Sequence, residues 1–347
     1  MELNTGFFAI VLFQLGFWCG TSCNAVGFQM AMNLAKSSSM RLRVHDMKES
    51  NVSAFLDQAQ ENDQIDAALV SAHTLDEIGR ANPAYIVTSL PTCEASEAVV
   101  EGLLASLPND GRSGCTIIDT STISPNVAKR LHSSVKSFSE QHEYIDAPVS
   151  GGVKGAADAT LTFMMGCSTS EVFDHVRPLL QKIGKKSILC GGPGSGSAVK
   201  LCNNLALAAQ MVCRKRVYRM TPAYKTNHVK QVGICEAMNL GDALGVDPTT
   251  LANVMNVSTA KSWSCEVNNP HPIAAEGIGS GASANNYEGG FGSALMLKDM
   301  NLAVGAGEEE GLALPVAGLT RDLYKMATLH GLGEKDFGVL LQFLRGA

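Results

Sequence analysis

The chain has 347 residues, of which 45% are hydrophobic, 17% charged and 6% aromatic, with 34 glycines and a formal net charge of −6. Its length suits two domains, and its composition excludes collagen, coiled coils and disordered chains. The acidic balance argues against nucleic acid or an anionic membrane as a partner, so we expect a small-molecule ligand. The ten cysteines and eight histidines are dispersed without zinc-ligand spacing, which predicts no metal site.

The first predicted element is the apolar run from Gly6 to Cys19, which lies in a stretch without lysine or arginine that extends to residue 35. The run is too short to cross a membrane, which takes roughly 20 residues. It lacks the basic start of a secretory signal, and the arginines of a mitochondrial presequence are missing. We therefore expect a buried first strand, and we treat residues 1–25 as an atypical leader.

Between Val26 and Gly192, short β-branched runs alternate with helical periodicity, which is typical of βαβ units around a parallel sheet. Ligands of such sheets bind beyond the carboxyl ends of the strands. We therefore expect functional residues at the polar ends of the predicted strands. These strand-like runs are Arg41–Met47, Ala84–Pro91, Cys115–Thr122 and Glu143–Ser150.

Beyond the glycine-rich segment Gly191–Ser197, the strand signals end and the pattern is helical almost throughout. We predict an α/β fold, with a parallel-sheet domain over residues 1–192 and an all-helical domain over residues 193–347. The helical domain contains an atypical insert, residues 212–231, which has six basic residues and no acidic one.

A dinucleotide site needs a glycine-rich turn between the first strand and the first helix. The segment Gly27–Ser37 predicts that helix, but Ser22 and Asn24 stand where the turn should have glycines. Asp46 ends a strand-like run 19 residues after Gly27, where NAD sites have the acid that binds the ribose hydroxyls. Its charge would repel a 2′-phosphate, so NAD is favoured over NADP. A turn-forming or helix-capping Asp is the alternative.

Lys200 lies one turn into an apolar helix, with Asn204 on the same face at i+4. Burial disfavours the charged ammonium, so a lysine in this setting either reaches solvent or serves a site. The glycine-rich segment before it and the amide one turn later favour the functional interpretation.

Four motifs follow one another along the chain: Asp146–Gly152, Gly194–Asn204, Trp263–Pro272 and Gly289–Ala303. With these motifs the chain resembles the β-hydroxyacid dehydrogenase family. The resemblance implies a Rossmann-type NAD-binding domain, a helical domain that mediates homo-oligomerisation, and a mitochondrial location. Because no presequence is visible, a cytoplasmic location is the alternative. The implied reaction is the NAD-dependent oxidation of 3-hydroxyisobutyrate to methylmalonate semialdehyde, a step of valine catabolism.

The resemblance also implies roles for individual residues. Lys200 would be the catalytic acid/base. The substrate would be held by Ser150, Gly151, Gly152 and Asn204. The cofactor would be bound by Gly27, Asp46, Leu90, Pro91, Thr122 and Lys298.

Two alternatives stay open. One is a non-catalytic Rossmann-like protein with impaired cofactor binding, which the missing glycines before Gly27 favour. The other is a related β-hydroxyacid dehydrogenase or semialdehyde reductase.

The leader and the insert are the two segments in which this chain departs from the sequence pattern of the family. In a family member, residues 206–211 and 232–248 would join as one continuous helix, which Pro222 in the insert should break. Our hypothesis is that residues 212–231 are translated intron, because twenty residues preserve the reading frame and Val212 and Gln231 are compatible with splice signals. The leader would likewise replace the true first strand and its turn, and such a chain would fold poorly. A natural surface loop is the alternative for the insert.

Overall fold

In the computed structural model, the described residues are 8–13, 26–36, 41–110, 114–216, 227–278, 281–288, 290–309, 311 and 313–346. The chain divides into two compact units, Met1–Lys200 and Leu201–Ala347. This division falls inside one helix, whereas the predicted domain boundary, 192/193, precedes that helix.

The N-terminal unit contains one sheet, whose described strands are β1 Phe8–Phe13, β2 Arg41–Asp46, β3 Val70–Ala72, β4 Tyr85–Ser89, β5 Thr116–Asp119, β6 Glu143–Asp146, β7 Val149–Ser150, β8 Leu161–Gly166 and β9 Gly184–Gly191. Their order is β3-β2-β1-β4-β5-β6-β8-β7, with β9 paired to β8. The strands β1 to β6 run parallel in the order 3-2-1-4-5-6, which is that of doubly wound dinucleotide-binding folds. The predicted α/β fold is therefore confirmed.

The apolar run near the N-terminus supplies β1, which lies between β2 and β4. Phe13 at its end is in register with Asp46 of β2 and with Ser89 of β4. The prediction of a first strand is therefore confirmed. The predicted burial of its side chains, and the predicted glycine-poor turn with Ser22 and Asn24, lie outside the part of the chain that the structure describes.

Helices cover both faces of the sheet. They are α1 Val26–Ala35, α2 Glu49–Gln60, α3 Leu75–Arg80, α4 Cys93–Leu104, α5 Pro125–Phe138, α6 Gly152–Ala157 and α7 Ser170–Leu180. Successive side chains of a strand point to opposite faces. On β4, Val87 belongs to the core cluster with α1 and α2, whereas its neighbour Ile86 belongs to the cluster with α4 and α5. Each face therefore has its own apolar core, as a doubly wound sheet requires.

The C-terminal unit is helical in its described part, as the sequence predicts. Helix α8, Ser195–Arg216, begins in the N-terminal unit and continues into this one. The other helices are α9 Asn227–Ala243, α10 Pro248–Val257, α11 Trp263–Glu266, α12 Pro272–Ile278, α13 Ser293–Glu309, α14 Pro315–Ala327 and α15 Leu340–Arg345.

The insert 212–231 is partly described. Helix α8 continues through its first five residues, and α9 includes its last five. Pro222, to which the sequence assigns a helix break, lies outside the described residues, and so does the rest of the segment between the two helices.

Candidate active site

The carboxyl ends of the parallel strands lie along one edge of the sheet. The strand order reverses between β1 and β4, and this is where doubly wound folds bind their ligands. Asp46 is the last residue of β2, and Leu90 and Pro91 follow β4 directly. Thr122 lies three residues beyond the end of β5. The structure therefore brings these four predicted cofactor-binding residues to the same edge, on both sides of the reversal.

Asp46 is buried, with 4% of its surface exposed. Its Oδ1 accepts a hydrogen bond of 2.8 Å from the backbone N–H of Lys48. Its Oδ2 is buried too and has no hydrogen-bond partner among the described residues. A buried carboxylate oxygen without a donor is costly, so this atom is a spare acceptor at the sheet edge.

A second buried carboxylate, Asp119 at the end of β5, fixes the loops that carry Leu90 and Thr122. Its Oδ1 accepts hydrogen bonds from the Thr88 hydroxyl at 2.9 Å and from the Ser121 N–H at 3.0 Å, and its Oδ2 accepts one from the Tyr144 hydroxyl at 3.0 Å. The Ser121 hydroxyl oxygen in turn accepts the backbone N–H of Leu90 at 2.7 Å.

Sequence reasoning missed Asp119, although an Asp directly after a β-branched strand was a usable signal. Burial raises the pKa of Tyr144 far above its usual value, and the negative charge of Asp119 adds to this effect. The phenol therefore stays protonated and keeps donating to Asp119.

The predicted substrate turn follows β7. Ser150 is buried, and the next two residues are glycines in left-handed conformations, with φ of 139° at Gly151 and 64° at Gly152. The φ of 139° favours glycine at position 151, and a Cβ atom there would also require the Leu161 side chain, 3.0 Å away, to move. Glycines leave the peptide N–H groups of this turn accessible to a ligand.

Helix α6, which begins at this turn, is tied to the first helix of the unit. The Asn33 side-chain amide on α1 donates hydrogen bonds of 2.7 Å to the Ala156 carbonyl and 3.2 Å to the Ala157 carbonyl at the end of α6. Gly27, a predicted cofactor residue, is the second residue of α1 and is buried. The Asn33 side chain therefore connects the helix that begins with the predicted cofactor segment to the helix that follows the predicted substrate turn.

Lys200 is buried on α8, with 8% of its surface exposed. Burial lowers the pKa of its ammonium from 10.5 to about 8. A lysine with this pKa is partly neutral near physiological pH and can accept a proton. The catalytic role of Lys200 and the alternative of a solvent-reaching lysine both stay predictions.

Asn204 and Lys298 belong to the C-terminal unit. Asn204 is half-buried one turn after Lys200 on α8, and its neighbour Asn203 donates a hydrogen bond of 2.9 Å to the Thr259 hydroxyl. Lys298 is exposed on α13. The roles of Asn204 and Lys298 stay predictions.

Comparison with known proteins identifies the family. Residues 23–192 match the model described as the NAD binding domain of 6-phosphogluconate dehydrogenase. Residues 227–344 match the model described as NAD-binding of NADP-dependent 3-hydroxyisobutyrate dehydrogenase. The mitochondrial 3-hydroxyisobutyrate dehydrogenase of Bos taurus is 35% identical over 92% of this chain and 84% of its own, and that of Drosophila melanogaster is 35% identical over 92% and 86%. The chain belongs to the 3-hydroxyisobutyrate dehydrogenase family.

As a member of this family, the protein is an NAD-dependent hydroxyacid dehydrogenase. An imine reductase of Streptomyces aurantiacus has the same fold, with a TM-score of 0.64 and 15% identity, over 97% of this chain and 99% of its own. Among the described residues, no helix is long and apolar enough to span a bilayer. No three side chains of metal-ligand type are grouped in that part of the chain.

The residues present fit an NAD cofactor. Asp46 Oδ2, which has no hydrogen-bond partner within the described part of the chain, ends the strand at which a dinucleotide-binding fold has its acceptor for the ribose hydroxyls. The loops after β4 and β5 are held by the Asp119 hydrogen bonds, so they form a defined edge for the cofactor. Helix α8, which carries Lys200, lies between the residues matched by the two family models.

Proposed function

We propose that the protein catalyses the NAD-dependent oxidation of 3-hydroxyisobutyrate to methylmalonate semialdehyde, the valine-catabolic reaction, with Lys200 as acid/base. The substrate follows from the names of relatives that are 33–37% identical to this chain. The single observation that carries the chemistry is the burial of Lys200, which lowers its pKa to about 8.

NAD, when bound, accepts the hydride from the carbinol carbon of the substrate. Asp46 Oδ2 would accept a hydrogen bond from a ribose hydroxyl, and its negative charge would repel the 2′-phosphate of NADP. Leu90, Pro91, Thr122 and Lys298 would line the cofactor, with Gly27 at the start of the adjoining helix.

Lys200 would take the hydroxyl proton on its neutral Nζ as the hydride leaves. The N–H groups of the turn Ser150, Gly151 and Gly152 would hold the substrate carboxylate. Asn204, one turn further along α8, would orient the hydroxyl. A fixed carboxylate and a fixed hydroxyl orient the carbinol hydrogen in a single direction, which is what hydride transfer requires.

The test compares Lys200→Arg and Lys200→Met with the wild-type protein in an assay of NADH formation from 3-hydroxyisobutyrate. Arg stays protonated and Met has no basic nitrogen, so both variants should lose about 10² to 10⁴ in kcat. NAD titration by fluorescence should give an unchanged affinity, because the lysine acts on the proton and not on cofactor binding. Full turnover in either variant would remove Lys200 from the mechanism.

The same titration decides between the enzyme and the non-catalytic alternative. Micromolar NAD binding by the wild-type chain supports the dehydrogenase, and undetectable binding supports a protein with a defective cofactor turn. A matched NADP titration tests the predicted preference, since Asp46 should weaken NADP binding.

The proposed setting of the enzyme also follows from its relatives. Those compared are named as mitochondrial proteins, which supports a mitochondrial location for this chain. We expect a homo-oligomer, and light scattering during size-exclusion chromatography measures its mass directly.

A further inference from the structure

Asp146, the last residue of β6, caps the helix that carries Lys200. It is 1% exposed, and its two carboxylate oxygens accept backbone N–H groups from the residue before α8 and from the first turn of that helix. Oδ1 accepts the N–H of Gly194 at 2.8 Å, and Oδ2 accepts the N–H of Ser197 at 2.7 Å. One side chain thereby satisfies two of the N–H groups that a helix start leaves without partners.

The start of α8 is also locked sterically against the sheet. A Cβ atom at Gly196 would lie 2.3 Å from the Met164 carbonyl oxygen and 2.6 Å from that of Asp146. A Cβ at Gly166 would lie 2.3 Å from Asp146 Oδ1. Because the Gly196 backbone lies directly against the backbone of β6 and β8, and Gly166 lies directly against the capping carboxylate, the first turn of α8 has little freedom to shift relative to these strands.

The side chain that caps α8 is a carboxylate, whereas the side chains that cap two other helices of the same unit are neutral. Thr92 and Thr169 cap α4 and α7 with neutral hydroxyls. Burial raises the pKa of Asp146 to about 6, although the N–H groups of Ser197 and Gly194 hold it down. The carboxylate is therefore mostly ionised at neutral pH. Removing this charge from water costs free energy, and a Ser or Thr at the same position would cap the helix without that cost.

Three of the titratable groups around Asp146 stay neutral, whereas the Lys129 side chain on α5 lies beside the start of α8, where its Cε would be 3.1 Å from a Cβ atom at Gly194. Burial raises the pKa of Cys167 and of Cys190 to about 12, and it raises that of Tyr144 far above its usual value. The Asp146 carboxylate therefore keeps its negative charge next to the positive end of the α8 dipole. Lys200 lies one turn beyond Ser197 on the same helix.

We propose that Asp146 is a positioning residue for Lys200, fixing where its amine lies and offsetting the positive potential of the helix start. This inference rests on the proposed function, since it needs Lys200 to be the acid/base. A neutral cap would leave the dipole uncompensated, and the amine would lose its proton more readily.

Two variants separate charge from geometry. Asp146→Asn removes the charge and keeps the size, so the acidic limb of the kcat/KM pH profile should shift about one unit to lower pH. Asp146→Glu keeps the charge and displaces the helix start, so that limb should stay in place. Both variants should lose about tenfold or more in kcat with KM little changed. Asp146→Asn keeps only one of the two acceptor oxygens and Asp146→Glu is longer, so each displaces the amine, which harms proton transfer more than binding.

The control is Asp247→Asn, the same change at the N-terminus of α10, where Asp247 accepts the Thr250 N–H at 2.7 Å. It should change neither kcat nor the pH profile. Competitive acetic anhydride labelling of Lys200, read by mass spectrometry, measures the pKa of the amine without turnover and should show the same downward shift in Asp146→Asn.

The outcomes separate this inference from the proposed function. If Lys200→Met is inactive while folded Asp146→Asn keeps the wild-type kcat and pH profile, the positioning role is wrong and the acid/base assignment stands. If Lys200→Met is fully active, the proposed function fails first. Should Asp146→Asn not fold, full kcat in Asp146→Glu alone overturns the positioning role.

Discussion

Replacing Lys200 with Met should stabilise the folded protein at neutral pH while it abolishes turnover. Lys200 is 8% exposed, and burial lowers the pKa of its amine from 10.5 to about 8. Since one pKa unit corresponds to about 1.4 kcal/mol, the buried ammonium costs about 3 kcal/mol in the folded state below pH 8. Met has a similar length and no charge, so the variant does not pay this cost.

The pH dependence of the difference follows from the sign of the shift. Between pH 8 and 10.5 the unfolded chain keeps the Lys200 proton that the folded chain has lost, so the wild-type free energy of unfolding rises with pH. The advantage of Lys200→Met should therefore be largest near pH 7 and shrink as the pH approaches 10.5.

Urea unfolding of the NAD-free proteins at several pH values measures this difference. Lys185→Met is the matched control, because Lys185 is exposed on β9 and its replacement should leave stability within about 0.5 kcal/mol. A Lys200→Met protein that is less stable than wild type at pH 7, or a difference that does not vary with pH, would refute the burial of a costly ammonium.

Three further predictions concern the sheet edge. Asp46→Ser removes the spare acceptor and its charge, so the ratio of kcat/KM for NADP to that for NAD should rise about tenfold or more in steady-state assays. Gly166→Ala, whose Cβ would lie 2.3 Å from Asp146 Oδ1, should lower the free energy of unfolding by about 1–3 kcal/mol. Gly192→Ala, whose Cβ would contact nothing within 4 Å, is its control in the same denaturation series. Asn33→Ala removes two hydrogen bonds to α6, so the substrate KM should rise severalfold in initial-rate assays while NAD affinity by titration is retained.

The fold and part of the site could be predicted because their signals are local. Alternation of strands and helices gives the parallel sheet, and residues after strands must then lie at its carboxyl edge, as Asp46 and Leu90 do. Lys200 stands out as a candidate in the sequence because a lysine inside an apolar helix contrasts with its immediate neighbours, and its catalytic role stays a prediction. None of these predictions depends on knowing which residues distant in the sequence are in contact.

The contacts that hold the site could not be predicted in this way, because they join distant segments. Asp146 meets Gly194 and Ser197 across 48 and 51 residues, and Asp119 meets Thr88 across 31. Asp146 even stands in a motif of the family resemblance, but periodicity within that motif contains no information about its partners. The closeness of Gly166 to Asp146 is likewise a property of the assembled sheet.

Three buried carboxylates that look alike in sequence thus differ in what the fold leaves them to do. Asp46, Asp119 and Asp146 each end a strand at the same edge of the sheet. Both oxygens of Asp119 and both of Asp146 accept protein hydrogen bonds, so these side chains have a structural task within the unit. Asp46 alone of the three has an oxygen without a partner among the described residues. A buried carboxylate oxygen is costly without a donor, which supports the proposal that Asp46 Oδ2 accepts a hydrogen bond from the cofactor. The hydrogen bonds of each Asp, rather than its place at the end of a strand, therefore distinguish the proposed cofactor contact from the two structural carboxylates.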